Sequence, residues 1–356
     1  MVGGPACYRS ERMRTVDLRS DTVTKPTQRM RSAIYEAVVG DDVFGEDPTV
    51  RLLERSSCER VGKEAGLFVP SGTMGNLVSV LSHCTRGDEV ILGDQSHIFL
   101  NETGGISALG GVVVHTVPND EDGTIPLPKI EAAIRGSNIH HPVTKLICIE
   151  NTHNRCNGAP LTPEYTAEVC GLARVHRLAV HLDGARLFNA ACALKVDPKE
   201  LACGVDSLIF CFSKGLAAPV GSVVCGDREF IERARKVRKM LGGGMRQCGV
   251  IAAAGLIALE EMVKRLEEDH KNARRLAFGI DGIPDLHVDT SAVRTNILYA
   301  DLVAGTLSSQ KLLDVLETNG VKILQTGPAR FRMVTHYGIS AEDIDYAIET
   351  IREALR

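Results

Sequence analysis

Short apolar runs rich in β-branched residues recur along the first two thirds of the chain. Most are separated by stretches whose apolar residues repeat at helical spacing. The runs are Gly66–Val69, Glu89–Leu92, Val112–Val117, Lys145–Ile149, Leu178–Leu182, Ser207–Cys211 and Ser222–Cys225. The helical patterns include Pro48–Gly62, Gly75–Cys84, Pro163–His176 and Arg228–Leu241. Strands alternating with helices predict an α/β domain built on a mostly parallel, seven-stranded sheet. Little more than KGLAAPVG separates the last two runs, which is short for a parallel crossover, so one of them is expected to run antiparallel. From Gln247 to Phe278 the pattern reads as one long helix. Beyond it, strands at Asn296–Tyr299 and Phe331–Val334 and helices at Ser309–Asn319 and Ser340–Leu355 predict a small C-terminal α+β domain. The chain therefore divides into an N-terminal arm over residues 1–26, a large domain over 27–262 and a small domain over 263–356.

Composition narrows the classes of function. The 356 residues suit about two domains. A net charge of −4 gives no bulk electrostatic case for nucleic acid or an anionic membrane, and aromatics at 4% with no Trp argue against a base-stacking surface. The longest apolar stretch, around Val250–Leu259, is about half a membrane span. The eleven cysteines are odd in number and none has C-x-x-C spacing, so they read as reduced thiols of an intracellular protein. Arg9, Arg12 and Arg14 against Glu11 hint at a mitochondrial presequence. A plain N-terminal extension on a cytoplasmic protein is the preferred reading, with the mitochondrion as alternative.

Three segments carry candidate chemistry. In LFVPSGTMGN, Gly72 allows a tight turn and Thr73 can cap the helix that follows, which makes a place for a phosphate. In VHLDGAR, Asp183 stands at the C-terminal end of a strand, where open α/β sheets bind ligands. In FCFSKG, Lys214 follows an apolar strand directly, and a lysine in an apolar pocket can attack carbonyls. Each alone reads equally as an ordinary cap, turn or surface lysine. Together they are the fixtures of a pyridoxal phosphate site: a Schiff-base lysine, an acid on the pyridine nitrogen and a helix terminus on the phosphate. Neither a Walker A loop nor G-x-G-x-x-G is present, so nucleotide readings lack support.

Seven segments then carry a family resemblance: DLRSDTVTKPT at Asp17–Thr27, GDDVFGEDPTV at Gly40–Val50, PSGTMGNL at Pro70–Leu77, ENTHN at Glu150–Asn154, HLDGARLFNA at His181–Ala190, SKGLAAPVGS at Ser213–Ser222 and RKMLGGGMRQ at Arg238–Gln247. From about Val16 to the C-terminus the chain resembles the low-specificity L-threonine aldolases. These are pyridoxal phosphate enzymes of fold type I, the aspartate-aminotransferase type. The resemblance implies Lys214 as the cofactor lysine, Asp183 on the ring nitrogen, Gly72 and Thr73 on the phosphate, and His97 stacked on the pyridine face near the substrate hydroxyl. It implies Arg186 on the cofactor's 3′-oxygen or the substrate carboxylate, with Ser20 and Arg332 gripping that carboxylate. His140 corresponds to a second active-site histidine, with His153 a weaker third. Arg246 and Lys239 correspond to basic residues from a neighbouring subunit, with Arg246 on the phosphate. Phe44 stands where many members carry Tyr, which leaves an apolar wall and no phenol.

The activity implied is retro-aldol cleavage of L-threonine or L-allo-threonine to glycine and acetaldehyde, with His97 or His140 taking the β-hydroxyl proton and no metal required. The assembly implied is a homotetramer built from dimers, with active sites at subunit interfaces and no nucleic acid or membrane partner. The alternatives are another fold-type-I enzyme, a β-eliminating lyase or an aminotransferase, and a non-catalytic scaffold, for which Lys214, Asp183 and Arg332 would have no use.

Overall fold

The structure is a computed structural model and describes residues 14–303 and 307–356. Arg9 and Arg12, which suggested a presequence, lie outside the described residues. Arg14 does not hang free: it donates two hydrogen bonds to Asp343 Oδ1, at 2.9 and 2.6 Å.

The strands in chain order are β1 (Val16–Asp17), β2 (Ala65–Val69), β3 (Asp88–Gly93), β4 (Val113–Val117), β5 (Val143–Glu150), β6 (Ala179–Asp183), β7 (Ser207–Cys211) and β8 (Ser222–Gly226) in the first part. β9 (Leu286–His287), β10 (Ile297–Leu302), β11 (Val321–Lys322), β12 (Leu324–Gln325) and β13 (Arg330–Val334) follow. Seven of them make one sheet in the order β2–β8–β7–β6–β5–β3–β4. The pairings β3–β4, β3–β5, β5–β6 and β6–β7 are parallel, whereas β8 is antiparallel to both its neighbours. The expected exception is therefore β8, whose short link from β7 cannot carry a parallel crossover. β7 and β8 are buried at every position, as strands covered by helices on both faces must be.

The long helix is corrected. A helix over Gly249–Ile257 passes through a π turn at Ala258–Met262 and a 3-10 turn at Val263–Arg265 into a second helix, Leu266–Asp281. The reason lies in packing. Ala252, Ala254 and Ala258 belong to the core beneath the large sheet, while Ala273, Leu276, Ala277 and Ile280 belong to a second core around β10 and β13. Serving both cores requires the apolar face to rotate part-way, and a change of helical pitch does this.

The arm enters that second core. β1 pairs in parallel with β11, and Val16 and Leu18 are fully buried. Val334 N–H donates to the carbonyl of Leu18 at 2.8 Å. The segment that follows, Ser20–Thr24, is thereby laid across the C-terminal edge of the large sheet.

Candidate active site

β6 ends on Asp183 and β7 ends on Cys211, three residues before Lys214. β2 ends on Val69, two residues before Ser71. All three ends open on one cavity of about 210 Å³, lined by Ser71, Gly72, Thr73, Asp183 and Lys214 among others. The helix after β2 starts at Gly72, with Ser71 Oγ accepting from Met74 N–H at 3.2 Å, so the cap is Ser71 and not Thr73. A Cβ on Gly72 would lie 2.9 Å from Cys211 Sγ, and one on Gly75 would lie 2.9 Å from Ile209 Cγ2. Glycine at both places lets the helix settle directly on β7, with its amino terminus opening on the cavity. The turn that carries Lys214 is closed by Phe212 N–H to Gly221 O, Ala218 N–H to Phe212 O and Ala217 N–H to Lys214 O. Ala217 takes a left-handed φ of 58° to make it.

Behind the cavity the acids are held by one amide. Asn76 is 1% exposed, and its Nδ2 donates to Asp183 Oδ2 and to Glu102 Oε1, both at 2.8 Å. The same Glu102 oxygen meets His97 Nδ1 at 2.8 Å. Burial pushes the His97 imidazole down, but the bond to Glu102 and the charge of Asp183 outweigh it, so its pKa is raised. Burial raises Glu102, and its bonds to His97 and Asn76 only partly offset this. His97, Glu102 and Asp183 offer ligand-type atoms within 4.8 Å of one another. The N–H bonds of Asn76 point at both carboxylates, where a cation would meet positive dipoles, so the donor set suits a hydrogen-bonded cluster rather than an ion.

A second cavity of about 320 Å³ adjoins the first and shares His97 and Lys214 with it. It is lined also by Ser20, Asn154, Arg186 and Arg332. Arg186 is locked to Asp21: Nε to Oδ2 and Nη2 to Oδ1, both at 2.7 Å, with both side chains almost fully buried. Burial raises the Asp21 carboxyl, yet Arg186 overrides this and holds it far below the usual range. Arg332 Nη1 donates to Asn154 Oδ1 at 2.9 Å and Nη2 to the carbonyl of Arg19 at 3.1 Å. Burial and the nearby Arg186 charge lower its pKa, which marks a cationic pocket short of anions. A carboxylate ligand relieves that shortage.

The residues present fit pyridoxal phosphate. A lysine amine and a buried carboxylate share one cavity, a helix amino terminus of the kind that holds phosphate opens on it, and an imidazole lines it. The expected Ser20, Gly72, Thr73, His97, Asp183, Arg186, Lys214 and Arg332 are brought together. His140 is not: it is exposed on the loop before β5. β5 runs from Val143 to Glu150 at the site end, seven residue steps, roughly 23 Å of strand. His140 therefore lies at the opposite edge of the sheet, away from this chain's own cavities. His153 is buried and lines neither cavity. Arg246 and Lys239 also line neither, and Arg246 Nη1 pairs with Asp41 Oδ2 at 3.1 Å.

Sequence reasoning missed Asp21, Asn76, Glu102 and Asn154. Three of them sat inside the quoted motifs, but an Asp or Asn with no chemistry of its own gives no signal. Glu102 follows His97 by five residues, a separation that a short helix, His97–Leu100, and its exit turn close up.

The model of the beta-eliminating lyase family matches residues 17–302. A probable low-specificity L-threonine aldolase 2 from Arabidopsis thaliana is 53% identical over 340 residues, covering 94% of this chain and 96% of that one. The low specificity L-threonine aldolase of Escherichia coli K12 is 43% identical over 329 residues, covering 92% and 96%. Among solved structures, a Leishmania major threonine aldolase aligns with a TM-score of 0.82 at 19% identity, over 96% of this chain and 99% of that chain. A Sphingomonas wittichii serine palmitoyltransferase aligns with a TM-score of 0.77 at 17% identity, over 96% and 87%. These last two are likenesses of fold.

Proposed function

The chain belongs to the low-specificity L-threonine aldolase family among the beta-eliminating lyases, and from that premise we propose how its own residues perform the reaction. It is a carbon–carbon lyase of fold type I that uses pyridoxal 5′-phosphate and cleaves L-threonine and L-allo-threonine to glycine and acetaldehyde. The observation that carries the assignment of roles is the pair of adjoining cavities. One holds Asp183 and the helix terminus, the other holds Arg332 and Ser20, and His97 and Lys214 belong to both.

Bound through Lys214, pyridoxal phosphate supplies a sink for the electron pair left when the Cα–Cβ bond breaks. Asp183, its carboxylate fixed from behind by Asn76, would hold a proton on the ring nitrogen by its negative charge. Ser71, Gly72 and Thr73, at the helix amino terminus, would hold the phosphate. Arg332 takes the substrate carboxylate with two N–H groups and Ser20 adds its hydroxyl, which fixes the direction of the Cα–Cβ bond. Arg186 keeps its position through Asp21 and completes the cationic wall. His97 accepts the β-hydroxyl proton, directly or through water, and Glu102 stabilises the imidazolium that forms.

The active protein is an oligomer, a homotetramer built from two dimers. Tyr35, Val38 and Phe44 expose apolar side chains on one stretch of chain, with Phe44 74% exposed. A monomer rarely leaves such a stretch bare. Phe44, Lys239, Arg246 and His140 serve the site of a neighbouring subunit. The compartment is the cytoplasm: the described cysteines are free thiols and most are buried, as suits a reducing environment.

The experiment is incubation of the purified protein with L-allo-threonine while absorbance, aldehyde and ammonia are followed. Glycine and acetaldehyde in equal amounts, with no keto acid required, are expected, and Lys214→Ala should lose both the bound-cofactor absorbance and turnover. Ammonia without aldehyde would assign the chain to β-elimination instead, and a need for a keto acid to transamination.

A further inference from the structure

The side chain of Asn76 lies between two acids that the reaction uses differently. Asp183 lines the cavity that fits the cofactor and Glu102 holds His97. Both are acceptors only when ionised, so the amide nitrogen must be the atom between them, one N–H to each. This fixes the amide oxygen on the other side, 3.1 Å from His181 Nε2. His181 therefore carries its proton on Nε2. Its Nδ1 is an acceptor for Ser207 Oγ at 2.9 Å, and Ser207 Oγ in turn accepts from His83 Nε2 at 2.8 Å. The network has one consistent polarity. It runs from His83 through Ser207, His181 and Asn76, and it ends as two donors aimed at the two carboxylates. His181 and Ser207 are fully buried, Asn76 and Asp183 nearly so.

We propose that Asn76 is a positioning residue that joins Asp183 and Glu102 into one electrostatic unit, so that the proton on His97 and the charge facing the ring nitrogen are set together. The two acids are close enough to repel, and a single buried NH₂ group lies between them and stabilises both anions. Withdrawing that positive dipole raises the proton affinity of the whole cluster, His97 included. The groups that face His97 are Glu102 by direct bond, Asp183 and Lys214 through space, and Glu150, whose Oε2 accepts from the His97 backbone N–H at 2.7 Å. Of these, Asn76 bonds Glu102 and Asp183 and neither of the others. Burial holds His181 neutral, its pKa pushed down to about 3, so it serves the network as a fixed dipole and adds no charge.

The inference rests on the aldolase reading for its catalytic meaning, but its test does not. The protonation midpoint of His97 is measured by NMR on the full-length, histidine-labelled chain without cofactor or substrate, and is identified by the signal lost in His97→Asn. Asn76→Asp keeps the size of the side chain and the acceptor for His181, and replaces only the donor. It should raise the His97 midpoint by about one pH unit or more. Asn76→Ala should raise it by less. Should Asn76→Ala fail to fold, the isosteric variant decides. A merely structural asparagine would change the melting temperature and leave the His97 midpoint within about 0.2 unit of the parent. That result, or a downward shift, overturns the proposal. A failure of the aldolase reading appears separately, as missing acetaldehyde from the parent protein.

Discussion

Arg186 and Asp21 are 165 residues apart in sequence and form a two-point ion pair at 2.7 Å in the floor of the cleft, with almost no solvent contact. The pair ties the N-terminal arm to the large domain next to Ser20. Removing one member of such a pair leaves a buried charge without compensation. Asp21→Ala should therefore lose about 3–5 kcal/mol of stability in urea unfolding of the holoenzyme. The KM for threonine should rise at the same time, because Ser20 loses its anchorage. Unchanged unfolding and unchanged KM would refute the clamp.

Arg332 reaches the cleft from β13 and is braced by Asn154 and by the carbonyl of Arg19. A lysine keeps the charge but cannot offer two parallel N–H donors. Arg332→Lys should raise KM by a factor of roughly 10 to 100, corresponding to about 1.5–3 kcal/mol, while kcat falls less. Steady-state kinetics with L-allo-threonine provide the check. An unaltered KM would place the substrate carboxylate elsewhere.

Much of this site was legible in the sequence because its parts carry distinctive chemistry at strand ends. Lys214 after an apolar run, Asp183 before a glycine and the turn at Gly72 declare themselves through residue type and position. The supporting residues do not. Asn76 is one of several polar residues in its helix, and only the folded sheet shows that its amide meets Asp183 and Glu102. Asp21 reads as a surface acid until β1 pairs with β11 and carries it beneath Arg186. His140 is a different case: the resemblance marks it, and chain topology places it at the far edge of the sheet, away from this chain's own cavities. The long helix was misread for a related reason, since periodicity within it cannot reveal that its two halves serve different cores.

Three histidines are held neutral mainly by burial: His181 is pushed down to about 3, and His83 and His270 each to about 4. Their unfolded value is near 6.5. Between pH 6.5 and 4 the unfolded chain thus binds more protons than the native one, so stability is complete above the unfolded value and is lost as pH falls. Each histidine adds up to about 1.4 kcal/mol per pH unit to that slope. In His181→Gln, denaturant unfolding at pH 7, 6 and 5 should show a slope shallower by roughly one such contribution. Equal slopes in parent and variant would show that His181 is not buried in its neutral form.

Glu102 gives the last test, and it runs opposite in sign to the Asn76 variants. Its Oε1 accepts from both Asn76 Nδ2 and His97 Nδ1, and its other oxygen is buried with no hydrogen-bond partner among the described residues. The bond to Glu102 is the leading influence that raises the His97 pKa against burial. Glu102→Gln keeps the shape and removes the charge, so the leading influence that opposes burial and the Lys214 charge is gone. The His97 midpoint should then fall. If His97 must be neutral to accept the β-hydroxyl proton, the acid limb of kcat/KM moves to lower pH in the variant. The maximal rate drops as well, because the imidazolium formed during turnover is no longer stabilised. A pH–rate profile from pH 5 to 9 reads both effects. An acid limb that stays in place would mean that some other group takes the proton, and it would remove His97 from the centre of the mechanism.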